Sequence, residues 1–400
     1  MKSTLIPLRD PQNPALTTRP LWRLGFRPFY LLAAAFAAFA VPFWLLGYSG
    51  QLHLPTALPL PLWHAHEMIF GFIVAVITGF LFTAVRNWTG QPTPTGLPLA
   101  LIALLWVLGR LALLMGSLPY AMWVDMSFLP VVAIAVARPL WLRRQRRNYF
   151  VPLLLLGLAL INAWFYRRVL AISPGSRVQP LLAALGLITV LETIIAGRVV
   201  PMFTRNAIPG VRQYRLEWLE RSLPLLTLLT MASFVLWPFS WTCKILALGA
   251  ALGHALRWWG WGPLATWRKP ILWILHGAYA WMIVGFLAMA AISPQGGSLM
   301  LPVHLLAVGA TAGLIIGMMT RTARGHTGRF LETDREDELA YVALMLATVT
   351  RILPLLLSLS RPAALILLSL SALLWSLAFV LYLIHYGPWL TRPRLDHQDG

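Results

Sequence analysis

The stretch "LPLPLWHAHEMIFGFIVAVITGFLFTAVRNWTG" at residues 58–90 decides the fold class. Between Glu67 and Arg86 it holds no charged residue, and a run of that length and apolarity crosses the hydrocarbon core of a bilayer as one α-helix. Two histidines and a glutamate, His64, His66 and Glu67, stand at its head. Ionisable groups inside a spanning segment are costly and mark ligand, proton or partner sites. The stretch that fixes the fold class therefore also poses the functional question.

Working outward, similar runs recur along the chain. Helices are predicted at 26–47, 63–85, 97–115, 120–142, 149–170, 178–200, 219–238, 240–260, 271–292, 298–320, 338–359 and 362–387. The chain is 58% hydrophobic and 11% charged, against about a quarter charged in a soluble domain. The expected fold is all-α: a polytopic transmembrane bundle of twelve helices forming one domain over 26–387, between an N-terminal segment 1–25 and a tail 388–400. Residues 1–28 lack an apolar core, so the first helix is expected to act as its own insertion signal.

The net charge of +19 raises nucleic acid as a partner, and its placement rejects it. With the N-terminus in the cytoplasm, most of the 32 Lys and Arg fall in cytoplasmic segments. The opposite side receives Arg167, Arg168, Arg177, Arg351 and Arg361, while Arg110 and Lys244 lie within predicted helices. That is the positive-inside bias, and it puts both termini in the cytoplasm and the lipid bilayer around the chain. The single cysteine, Cys243, excludes an intramolecular disulfide, a cysteine-based zinc site and an iron–sulfur cluster within one chain. No GxxxxGK[ST] loop is present to drive ATP-dependent pumping.

An internal echo links two predicted helices. When 66–90 is laid on 304–328, His66 meets His304, Gly71 meets Gly309, Gly79 meets Gly317, Arg86 meets Arg324, Thr89 meets Thr327 and Gly90 meets Gly328. Both segments run from the outer to the cytoplasmic side, as a parallel repeat requires. Such a repeat sets His66 and His304 at one depth on facing helices; chance likeness among apolar helices is the competing reading.

The histidines sort by depth. His64, His66 and His304 fall near outer helix ends, with His53 in the preceding loop. His254 and His276 fall in the inner halves of consecutive antiparallel helices, and His326 in the cytoplasmic loop after the tenth. Imidazole suits iron, copper and zinc, and a haem iron takes axial histidines from helices on either side. Two stacked sites follow: an outer pair His66 and His304 with His64 nearby, and an inner pair His254 and His276 with His326 as a third member. Positions two apart on a helix point about 200° from each other. His64 and His66 therefore either serve different ligands or His64 precedes the helix after Pro61. The bland reading of any one of these residues is a polar group at the headgroup level or a hydrogen bond between helices.

Glu67 is a candidate to orient an imidazole from behind, as carboxylates do beside metal ligands. Glu192, inside the sixth helix, costs about 2.5–3.5 kcal/mol to insert as a charge. It is expected either to relay protons or orient a ligand, or to pair with Arg110 or Arg198. "HAHE" is not the zincin HExxH, which needs histidines four apart. The acidic run "ETDRED" (332–337) reads as a solvated helix start.

Together "WHAHEMIFGF…TGFLFTAVRNWTG" (63–90), "HALRWWGW…LWILHGAYAWMIVGF" (254–286), "MMTRTARGHTGR" (318–329), "WRLGFRPFY" (22–30) and "GRVVPMFTRNA" (197–207) resemble the NnrS family of bacterial membrane proteins over about residues 20–387. Arg86 stands where that family is expected to carry proline. The resemblance implies a multi-pass protein of the bacterial cytoplasmic membrane, containing haem of the b type and copper, and linked to denitrification and defence against nitric oxide. Nitric oxide or a related small molecule is then the expected ligand. The alternative class is a carrier of a metal ion or of haem, which twelve helices and a parallel repeat also fit.

Overall fold

A computed structural model describes residues 19–172, 174–294 and 296–396; His397 lies outside them. Among the described residues the chain forms twelve long helices: α1 Phe26–Tyr48, α2 Leu60–Thr89, α3 Gly96–Met115, α4 Leu118–Leu142, α5 Phe150–Val169, α6 Gln179–Ala207, α7 Glu217–Leu236, α8 Trp241–Gly260, α9 Pro270–Ala291, α10 Met300–His326, α11 Arg335–Leu356 and α12 Arg361–Thr391. Eleven are long and apolar enough to cross a membrane. The twelfth, α8, has 20 residues, and Lys244, His254 and Arg257 dilute its apolar run. This is a multi-pass membrane protein, and Arg27 at the start of α1 meets Leu390 and Arg392 at the end of α12, so both ends of the described chain lie at one end of the bundle, the termini face.

Several helices outrun their predicted ends. Proline sits in the first turn of α2, where a missing N–H costs nothing, so the helix starts at Leu60 and His64 is fully helical. Pro201 does not stop α6, which continues to Ala207. The segment "RTARGH" extends α10, so His326 ends a helix instead of sitting in a loop. Helix α12 likewise runs past 387 to Thr391.

Packing sorts the helices into three successive groups of four. In α2, α6 and α10, the second helix of each group, 78%, 72% and 67% of the apolar span is buried, against at most 56% in the other eight measured spans. These three form the centre. Each also packs on the first helix of the next group: α2 meets α5 through His66 and Asn162, α6 meets α9 through Thr204 and His276, and α10 meets α1. Around them α3/α4/α5, α7/α8/α9 and α11/α12/α1 pack as three arcs, and the α12/α1 junction closes the ring of helices that follow one another in the chain. At the last junction, Trp375 and Ser376 of α12 donate to the carbonyls of Ala37 and Ala38, and buried Arg27 donates to those of Leu390 and Arg392.

The echo between α2 and α10 has a backbone counterpart. Each helix passes into a π-helical segment immediately after its aligned histidine, Glu67–Ile73 after His66 and Leu305–Ala312 after His304. The aligned glycines inside these segments meet equivalent neighbours. A Cβ on Gly71 would strike Phe36 of α1 and approach Arg110 of α3, and one on Gly309 would strike Trp281 of α9 and approach Thr348 of α11. Close approach of neighbouring helices, more than any turn, requires glycine there.

Candidate metal and ligand sites

His64 and His66 point into different parts of the protein, as their spacing on one regular helix demands. His66 is fully buried among α3, α4 and α5. Its Nδ1 donates to Glu67 Oε1 at 3.0 Å, and its Nε2 faces Asn162 Oδ1 at 3.1 Å and Asp125 Oδ2 at 3.4 Å. Arg110 bridges the two carboxylates, giving one N–H to Glu67 and another to Asp125. Asp125 is further held by Asn162 Nδ2 at 2.7 Å and the Tyr166 hydroxyl at 3.0 Å. Both nitrogens of His66 meet acceptors, so neither offers a lone pair to a metal. The network balances two carboxylates against a guanidinium and an imidazolium.

The structure turns His66 toward α4 and α5 and His304 toward Arg351 of α11, so it does not bring together the two rings expected as an axial pair. Glu67 supports an imidazole as anticipated, but that of its own neighbour. Arg110 stands in the sequence as a charge within a predicted helix, and the structure adds Asp125, Asn162 and Tyr166 around it. A period-3.6 pairing of Asn162 and Tyr166 on one face of α5 was the available signal.

His304 and His64 define a second cluster at the same end of the bundle. His304 Nδ1 donates to the Met300 carbonyl at 2.7 Å, and its Nε2 accepts from Arg351 Nη2 at 2.8 Å. The guanidinium lies over Trp44, 5.9 Å from the ring, and the His64 ring stacks on that same Trp44 at 4.2 Å. His64 is within electrostatic reach of both Arg351 and His304, and its buried Nδ1 has no hydrogen-bond partner. Among the described residues no carboxylate pairs with Arg351.

The inner histidines are tied to separate helices. The Thr227 hydroxyl gives its proton to the Leu223 carbonyl and so accepts from His254 Nε2 at 3.0 Å, while Tyr279 meets His254 Nδ1 at 2.6 Å. Likewise Thr204 donates to Val200 and accepts from His276 Nε2 at 2.9 Å, leaving the buried His276 Nδ1 unpartnered. Trp261 packs on both Tyr279 and the His276 ring. His326 instead sets its ring against Phe26 of α1 at 5.4 Å, because the extension of α10 carries it toward the terminal helices. Nearby, Arg257 of α8 pairs with Glu220 of α7 and donates to the Thr193 carbonyl of α6 and the Tyr279 hydroxyl.

Glu192 pairs with neither proposed arginine. Arg110 is engaged with Glu67 and Asp125, and Arg198 donates to Asn148. Glu192 instead borders a cavity of about 100 Å³ between α2, α6 and α10. At the termini face the acidic run does more than cap a solvated helix. Asp334 and Asp337 form a capping box at the start of α11, and both accept from Arg324 Nη2, at 2.7 and 2.6 Å. Asp337 is buried and also accepts from Tyr386. With His385 these two aspartates make the one cluster of three potential metal-ligand residues among the described residues, and Arg324 already neutralises it.

Comparison with known families adds one finding: the family model described as NnrS protein matches residues 20–394. The chain belongs to the NnrS family. No match to it was found among curated proteins. Haem and copper, which the NnrS resemblance implies, can be tested against these side chains. A metal-bound imidazole uses one nitrogen as ligand and donates the other N–H to a carbonyl or carboxylate. His304 meets that description, with Arg351 lying on the nitrogen that would serve as ligand, and His64 beside it retains a partnerless nitrogen. His66 and His254 do not meet it, and His276 offers Nδ1 while its Nε2 meets the Thr204 hydroxyl, not a carbonyl or carboxylate. The central cavity carries no histidine. Of the histidines, His304 and its neighbour His64, at the end of the bundle away from the termini, come nearest to that description.

Proposed function

We propose that this NnrS protein limits nitric oxide within the membrane through a haem or copper centre held by His64 and His304. The observation that supports the reading is the His304 ring, oriented by the Met300 carbonyl so that Nε2 projects toward Arg351 and the His64 side. A ferrous haem or a copper ion there would supply the nitric-oxide-binding metal. The chain's part is to orient the imidazoles, to stack His64 on Trp44, and to offer Arg351 as a counter-charge to an anionic group. A bilayer favours the encounter because a small apolar gas partitions into it.

Purification in mild detergent, with oxidised and dithionite-reduced spectra and iron and copper counted on one sample, tests this. The expected result is a stoichiometric metal whose spectrum shifts with nitric oxide and is lost in His64→Ala and His304→Ala, while His66→Gln retains it. Bands that survive both alanine changes, or a metal-free preparation that cannot be reconstituted, overturn the assignment. The second reading, a carrier of a metal ion or of haem, draws on the repeated central helices. It expects cargo that exchanges during purification.

A further inference from the structure

We propose that the cavity between α2, α6 and α10 is a binding site for a small, largely apolar molecule with a single hydrogen-bond donor, which Glu192 receives. Aliphatic side chains, among them Ile73, Val76, Ile188, Leu191 and Leu314, make up nearly all of its wall. Only Glu192 and Tyr30 carry polar side chains to it. Glu192 Oε2 is buried without a hydrogen-bond partner, as are the Tyr30 hydroxyl and the hydroxyl of Thr311, which stands beside the Glu192 carboxyl. No cation pairs with Glu192 among the described residues, since both candidate arginines are turned elsewhere.

Each buried polar group left unmade costs about 1–3 kcal/mol. Two such groups, Glu192 Oε2 and the Tyr30 hydroxyl, line the cavity itself and form a place completed by something else. The wall determines what that is. A metal ion needs several oxygen ligands, and this wall is almost wholly hydrocarbon, so a ligand with an apolar body and one donor fits better. The two π-helical segments converge here: Ile73 ends that of α2 and lines the cavity, and Thr311 belongs to that of α10. Single π turns inside α-helices occur frequently at functional sites. An engineered cavity of about 150 Å³ holds benzene, so a ring of about five atoms suits this one. The site uses none of the histidines and needs no metal.

Pyrrole and furan have the same ring size, and only pyrrole donates a hydrogen bond. Their binding to the full-length protein in detergent can be followed by saturation-transfer NMR, with Ile188→Trp, which fills the cavity, correcting for partition into the micelle. Pyrrole is expected to bind about tenfold more tightly than furan, and Glu192→Leu should abolish that preference while furan still binds. Should Glu192→Leu fail to fold, the pyrrole-to-furan ratio on the unchanged chain decides alone. Equal binding of the two rings overturns the role of Glu192. Binding of neither above the Ile188→Trp level means a cavity completed by water and overturns the proposal.

Discussion

His64 and His66 lie one residue apart on one helix, yet their surroundings are opposite in kind. Around His66 every charge has a counter-charge: Glu67 and Asp125 face Arg110 and the imidazole, and Asn162 and Tyr166 donate to Asp125, leaving only Glu67 Oε2 and Arg110 Nε without a partner. Around His64 a guanidinium lies against two imidazoles and an indole with no carboxylate. The first cluster holds α2 to α3, α4 and α5; in the second, Arg351 has no carboxylate partner among the described residues and His64 Nδ1 has no hydrogen-bond partner. Ionisable residues in a membrane helix are thus not functional by position alone. Whether their neighbours already satisfy them is what separates a structural network from a ligand site.

That contrast can be broken most forcefully at Asp125. Asp125→Ala leaves Arg110 and His66 buried with one carboxylate between them and should cost about 3–5 kcal/mol, read as a large fall in unfolding temperature in detergent. Arg351→Met removes a cation that has no carboxylate partner and should change the unfolding temperature far less. The same variant frees His304 Nε2 and should bind copper severalfold more tightly than the unchanged chain, measured by titration on metal-depleted protein. An Arg351→Met protein that unfolds while Asp125→Ala is tolerated would reverse the comparison.

The smallest expected effect lies outside the membrane, at Asp334. Partial burial raises its pKa, but the hydrogen bond and charge of Arg324, with His385 behind them, outweigh this and hold it below the ordinary carboxylate range. A depressed folded-state pKa stabilises above the unfolded value of about 3.9, and that stability fades as pH falls through the folded value. Unfolding temperature should therefore drop below about pH 4, and Asp334→Asn should flatten part of that drop. The side chain is half exposed, so solvent keeps the contribution small.

Much of this architecture was legible in the sequence because hydrophobic length and charge bias act locally along a chain. The twelve helices follow from such signals, and so does the alignment of α2 on α10, whose histidines each precede a π-helical segment. Helix ends were less legible: Pro201 signals a stop that tertiary packing overrides, and "RTARGH" looks like a loop until Arg324 is seen gripping Asp334 and Asp337. The π segments leave no periodic trace, since they arise where glycines admit neighbouring helices closely. Partner choice was the least legible part. Depth alone grouped His66 with His304, and only the rotation of α2 turns His66 toward α5 and His64 toward Trp44.

The contact between α1 and α12 bears on how the protein is made. Helix α1 leaves the ribosome before α12 and meets this neighbour only when α12 is inserted, so Ala37, Ala38 and the buried Arg27 stay uncovered through the synthesis of the ten helices between them. Assembly cannot finish domain by domain from the N-terminus. A chain cut short before α12 leaves an open ring, and the seam where the ends meet becomes the step on which quality control of the whole bundle depends.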